Sequence, residues 1–217
     1  MGQTRLSERF VHLSNFGLSG QLIALEALRF LAQTVSCKLK KMTAKDKQIE
    51  FIKSYLKPKL KDEGFRTAGQ TWWKIVDDFA IVINLQNSQW NSQESLSFCF
   101  NIGVGLTEYL KDPSRKKATY FDIVTKLRED AYLSDDRKKN KYRPESGLGY
   151  TVTSQTNLAD FISELSIDFE SDILPKLGSL KTLQDCLDFY RQFDFWGEQL
   201  QNQVDRLKLK SDINHKH

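Results

Sequence analysis

Apolar and polar side chains alternate without a break through SLSFCFNIGVGL, residues 95–106. Leu96, Phe98, Phe100, Ile102 and Val104 fall on one side, and Ser95, Ser97, Cys99, Asn101 and Gly103 on the other. This period of two predicts a strand with one face on a core. Two shorter runs precede it: QTWWKIV, residues 70–76, and FAIVINLQ, residues 79–86. Asp77-Asp78 between them fits a two-residue hairpin turn. In the second run Ile81, Ile83 and Leu85 point to the core, while Val82, Asn84 and Gln86 share the opposite face with Asn101. NSQWNSQE, residues 87–94, reads as a polar loop. The three strands form an antiparallel meander.

Around them the period changes from two to that of a helix. In residues 44–63, Ile49, Ile52, Leu56 and Leu60 make one apolar stripe, with Thr43 as N-cap, Asp46 completing a capping box and Gly64 just past the end. Pro58 lacks an N–H and should kink or split this helix near Tyr55. Residues 119–129 fit either helix or strand. Residues 135–147 read as a charged loop, and GLGYTVTSQ, residues 147–155, returns to a strand pattern. Two helices follow. Residues 157–177 begin at Asn157 or Thr156, with Leu158, Phe161, Ile162, Leu165 and Phe169 inward. Residues 179–210 begin at Ser179, with Leu183, Leu187 and Tyr190 inward and a break at Gly197. The predicted fold is α+β: an antiparallel β-sheet meander covered by one N-terminal helix and two C-terminal helices.

Charge sharpens the domain boundary. Residues 1–41 hold six basic and two acidic side chains, the whole net charge of +4; the rest is balanced at 26 of each. Residues 1–41 therefore read as an appendage, an overcalled start or a short helix at LSGQLIALEALRFLAQ; residues 42–210 as a single α+β domain; and residues 211–217 as a frayed tail. A neutral body creates no general field for nucleic acid or anionic lipid. The longest apolar stretch, LIALEALRFLA, is interrupted by Glu26 and Arg29, so no membrane span is expected. Cys37, Cys99 and Cys186 are widely spaced and form no Cys-x-x-Cys, which fits reduced thiols and a cytoplasmic location.

The composition also limits the chemistry. The histidines are His12, His215 and His217, all outside the predicted domain. Serine or cysteine nucleophiles would lack a histidine base, and isolated cysteines make no zinc cluster. Gly103-x-Gly105 and Gly147-x-Gly149 do not continue into a phosphate loop and read as strand-end glycines. Asp77-Asp78, Glu129-Asp130 and Asp135-Asp136 are adjacent, and adjacent residues on a strand point to opposite sides, which suits turns better than acid/base dyads. No catalytic residue, metal site or cofactor is expected. Two groups of binding residues remain. One is the aromatic and amide set Trp72, Trp73, Asn84, Gln86, Trp90 and Asn101; its plainer reading is that Asn84, Gln86 and Asn101 pin loop 87–94 and Trp90 to the sheet. The other is the basic run Arg137, Lys138, Lys139, Lys141 and Arg143, which offers phosphate contacts unless it is a solvated loop offset by Asp135, Asp136 and Glu145.

Residues 56–106 carry a recognisable order of blocks. Leu56, Lys57, Pro58, Leu60, Lys61, Gly64 and Phe65 close a helix; Ile83, Asn84, Gln86 and Ser88 follow an aromatic strand; then come Phe98, Asn101 and Gly103. This order, with ILPKLGSLKTLQDCL at 173–187, resembles the domain of unknown function 4304 family over about 45–190. The family's usual Arg-x-x-Arg-(Ile/Leu)-Gly-x-Leu segment and tryptophan-bearing strand are replaced here by KLREDAYLSDDRKKNKYRP and GLGYTVTSQ. The resemblance implies a bacterial α+β domain of the cytoplasm and brings no activity with it.

The leading expectation is a non-catalytic protein-interaction domain, immunity-like or accessory, with a protein partner on the amide face. The alternatives are a small polar-ligand binder or unrecognised enzyme using the same face, and a weak nucleic-acid binder using residues 137–143.

Overall fold

The computed structural model describes residues 42–145 and 147–214, with side chains described to residue 209. The expectations for residues 1–41 and for 215–217, including the short N-terminal helix, Cys37 and the three histidines, lie outside the described residues. The fold is α+β, with a six-stranded antiparallel sheet and helices packed on one of its faces.

Helix α1 (Ala44–Phe51) opens on the expected capping box: Asp46 N–H donates to Thr43 Oγ1 at 3.1 Å, and Thr43 N–H to the Asp46 carboxylate at 3.0 Å. It runs through a π turn, Ile52–Leu56, into α2 (Lys57–Asp62). Lys57 N–H bonds back five residues to Ile52 O, directly before Pro58. The wide turn absorbs the missing donor and the bulk of the ring without splitting the helix. It also corrects the predicted stripe. The buried positions are Ala44, Lys47, Gln48, Phe51, Leu56 and Leu60, whereas Ile49 is 50% exposed. Only an added residue in the turn keeps Phe51 and Leu56, five apart, on one face. Gly64 follows in the left-handed conformation, and Phe65 N–H closes the end onto Leu60 O at 2.9 Å.

Strand β1 (Arg66–Ala68), absent from the sequence reading, pairs with β2 (Thr71–Val76). The Asp77-Asp78 turn leads into β3 (Phe79–Asn87), and β4 (Ser95–Leu106) has the predicted bounds. The far edge of β4 is shared. Strand β5 (Thr125–Arg128) pairs with Asn101–Val104, and β6 (Tyr150–Thr153) pairs with Ser95–Phe98. Residues 119–129 thus begin as a short 3₁₀ turn, Tyr120–Asp122, and end as a strand. Helix α3 (Leu158–Ile167) is capped by Asn157. It repeats the α1 device: a π turn, Asp168–Ile173, precedes α4 (Leu174–Ser179), in which Pro175-Lys176-Leu177 echoes Pro58-Lys59-Leu60.

The expected single closing helix is two. Ser179 ends α4, and Thr182 with Asp185 caps α5 (Leu183–Tyr190). The break falls at 191–193, not at Gly197, and α6 (Asp194–Asn214) runs four residues into the predicted frayed tail. A Cβ on Gly197 would stand 2.7 Å from Tyr190 O, so this glycine lets the two helices approach at the corner.

The helices bury the core face of the sheet. Phe51, Phe98, Phe100, Tyr150, Phe161 and Phe169 meet there largely edge to face, as in Phe100–Phe169 at 5.1 Å between centroids. The opposite face is half covered. Leu110, Ala118 and Ile123, from the chain 107–124, pack on Trp73, Ala80 and Val82. Two aspartates hold that chain in place: Asp112 accepts from the Ser114, Lys116 and Lys117 N–H groups, and Asp122 from those of Lys111 and Thr119.

Candidate functional site

The half of the second face that no described element covers is built by strand register. Thr71, Asn84, Asn101 and Arg128 pair in one row across β2, β3, β4 and β5. Gln86 and Cys99 form the next row, and Ser97 and Thr151 a third. Directly paired residues share a face, so the pleat brings these polar groups together. Asn84 Nδ2 donates to Thr71 Oγ1 at 2.9 Å. Asn101, only 4% exposed, donates through Nδ2 to Gln86 Oε1 at 2.9 Å. The same oxygen accepts from Arg128 Nη1 at 3.3 Å, and that nitrogen also contacts Cys99 Sγ. Gln86, Cys99 and Arg128, with Ser88, Ser97 and Leu148, line a cleft of about 350 Å³.

The electrostatics of the cleft rest on Arg128. It pairs with no carboxylate among the described residues, and its Nε and Nη2 donate to none of them. Burial pushes the Cys99 thiol up to about 11, against the lowering influence of Arg128 and with a smaller upward push from Glu129. Cys99 is therefore a neutral thiol near pH 7, poorly suited to attack as a nucleophile.

The predicted residues separate in space. Asn84, Gln86 and Asn101 come together as expected. Trp72 does not join them: it is 1% exposed within the main core, on the other side of the sheet. Trp73 has the right face but lies under the chain 107–124, its indole N–H donating to Lys116 O at 3.0 Å. Trp90 is 85% exposed in its loop. The amides do not pin that loop. Asn91 does so, donating to Ser97 O at 3.0 Å and accepting from Ser97 N at 2.7 Å, assisted by Ser92 and Ser95. Arg128 escaped notice because its segment fitted helix as well as strand. Read as a strand, Lys126 and Arg128 alternate with Thr125 and Leu127, which would have placed Arg128 on one sheet face.

Arg137 and Arg143 of the basic run turn inward, and Lys138 and Lys141 are exposed but paired with carboxylates, so the phosphate-contact reading loses most of its free cations. Arg137 Nε donates to Asp168 at 2.5 Å, and its Nη2 to the Glu164 carboxylate at 3.0 Å. Lys138 pairs with Asp135 at 3.0 Å and Lys141 with Asp160 at 2.8 Å. Arg143 is buried against Glu129 at 3.3 Å. Lys139 alone of the five is an exposed side chain without a carboxylate ion pair among the described residues. Asp168, wholly buried, also accepts from Tyr150 Oη at 2.8 Å and Asn140 Nδ2 at 3.2 Å, while burial pushes its carboxyl up. Glu129 is the counterpart between the strands. Its carboxylate accepts from Phe100 N–H and Gly149 N–H, each at 2.7 Å. It thereby fills the position on the β4 edge that neither β5 nor β6 reaches. Burial pushes its carboxyl up too, opposed by those bonds and by Arg143.

Among the described residues no helix is long and apolar enough to cross a membrane. No curated protein and no solved structure matches the chain. A family model does, over residues 56–179, more than half of the sequence, from the proline-bearing α2 through the sheet to the end of α4. The chain belongs to the family described as domain of unknown function 4304 (DUF4304).

Proposed function

We propose that this chain is a non-catalytic binding domain whose uncovered half-face receives a protein partner. The observation that carries the reading is the cross-strand row ending in Arg128: an arginine held by Gln86 and lacking a carboxylate partner among the described residues, on the half of the face that no described element covers. Exposed Leu148, 55%, lies at the edge of the cleft, and exposed Trp90 stands on the neighbouring 87–94 loop. Aromatic and arginine side chains beside satisfied amides have the composition of a recognition surface. The neutral Cys99 thiol supports recognition over turnover. A second reading, a small polar ligand in the same cleft, is favoured by its volume of about 350 Å³, at the lower end of the range for small-molecule sites.

Site-specific photo-cross-linking in the native cell tests the proposal. A benzoylphenylalanine replacing Leu148 or Trp90 should give protein-sized adducts, lost when Gln86→Trp fills the cleft. The same probe replacing Lys208, exposed on α6, should give none. Adducts from all three positions alike, or from none, would refute a partner on this face.

A further inference from the structure

Resting on that reading, we infer that the group Arg128 receives is a carboxylate: an acidic side chain of the partner, flanked by an apolar residue. The charge count comes first. Among the described residues that line the cleft, Arg128 alone is charged; the others are amides, hydroxyls, the thiol, Leu148, Pro144 and Phe98. One guanidinium neutralises one carboxylate. A phosphate dianion would keep an uncompensated charge in a half-enclosed site with no second cation or helix end to meet it.

Geometry agrees. Arg128 spends Nη1 on Gln86 Oε1 and Cys99 Sγ, leaving Nε and Nη2 without an acceptor among the described residues. Those two nitrogens form one edge of the planar guanidinium, the edge that grips both oxygens of a carboxylate in parallel. Gln86 fixes the plane, and buried Asn101 fixes Gln86 from below. The fork is thus oriented in advance, which lowers the ordering cost of binding. Leu148 and Pro144 on the rim offer apolar contact to a residue beside the acid, and this favours a peptide over a free small acid.

The test uses the purified full chain labelled with 15N, following the Arg128 Nε–Hε resonance and the backbone amides of Gln86 and Cys99. The probes are the amidated acetyl tripeptide Leu-Glu-Leu, its Leu-Gln-Leu counterpart, N-acetylglutamate and inorganic phosphate, at matched ionic strength. Leu-Glu-Leu should shift these resonances to saturation. Leu-Gln-Leu and the variant Arg128→Gln, its fold confirmed by circular dichroism, should bind at least about tenfold more weakly, the loss expected for one charge-assisted pair. Three results overturn the inference: phosphate binding as tightly as Leu-Glu-Leu, unchanged binding in Arg128→Gln, or no saturable shift up to about 50 mM, where even a weak site is filled. N-acetylglutamate binding as tightly as the peptide overturns the peptide source. Cross-linking that survives while carboxylates fail to bind would reject the ligand class and keep the partner. Carboxylate binding without any protein adduct would do the reverse.

Discussion

Replacing Glu129 with alanine should be among the most damaging single changes in the domain. The side chain is 0% exposed and faces Arg143, whose side chain is 1% exposed. Its carboxylate accepts two backbone N–H groups on different segments, Phe100 in β4 and Gly149 before β6. Truncation leaves a buried guanidinium whose nearest remaining acceptor is Gly147 O, two buried donors without partners, and a void. Removing one member of a buried ion pair costs about 3–5 kcal/mol, and the stranded N–H groups place this case at the upper end. Typical domain stability is about 5–15 kcal/mol, so the loss is a large part of the whole. Urea unfolding followed by tryptophan fluorescence is a suitable assay, because Trp72 and Trp73 are both buried at the sheet. With a slope of roughly 2 kcal/mol per molar urea, the midpoint should fall by about 1.5–2.5 M. The double variant Glu129→Ala/Arg143→Met removes the unpaired charge and should be more stable than the sum of the two single losses predicts by at least about 1 kcal/mol. A Glu129→Ala protein within about 1 kcal/mol of the parent would refute the reasoning, since a buried carboxylate with three donors cannot then be holding the strands.

Other predictions follow from neighbouring geometry. Gly149 has φ +77, and a Cβ there would stand 2.3 Å from Phe98 O; Gly147 has φ +73 with open space around it. Gly149→Ala should therefore cost at least about 2 kcal/mol and Gly147→Ala only about 1, measured by the same urea titration; equal losses would show that the backbone contact is not felt. The Cys99 thiol, pushed up to about 11, should alkylate with iodoacetamide at a rate that rises about tenfold per pH unit through pH 7–10, followed by peptide-resolved mass spectrometry. A rate already level at pH 9 would contradict it. Trp73→Phe should lose about 1 kcal/mol, the worth of its bond to Lys116 O, and should loosen the chain 107–124, seen as faster amide exchange at Lys116 and Lys117. Unchanged exchange would mean that the aspartates alone hold that chain.

The strands were legible because their evidence is local. Alternation over 95–106, and the paired aspartates between two β-branched runs, specify β2, β3 and β4 without reference to anything distant. The fold class followed. What escaped reading depended on partners far along the chain. Asp160, Glu164 and Asp168 stand four residues apart, on one face of α3 and its π turn, and they take up Arg137 and Lys141; each half of that pattern looks like ordinary solvated charge by itself. Lys47 and Gln48, polar side chains on the first helix, are buried and donate to Ser154 O, Thr156 O and Asn87. The helical stripe was misplaced at Ile49 because a period of 3.6 does not anticipate an extra residue ahead of Pro58. The site was half legible: period two gave Asn84, Gln86 and Asn101 one face. Trp72 and Trp73 were both counted with that face, although adjacent strand residues point to opposite sides, and nothing showed that the face is partly roofed, because residues 107–124 carry no periodic signal.

The divided far edge of the sheet bears on how this protein behaves when crowded. An open strand edge is a template onto which another chain can add, and long flat edges seed aggregation. Among the described residues one edge is β1, three residues long, and the other is split into two four-residue strands separated by the Glu129 carboxylate. A neighbouring molecule that began to pair along β5 would run out of partners within a few residues, at a charged and already occupied position. The arrangement that completes the hydrogen bonding of β4 within one molecule also denies a continuous seam to the next.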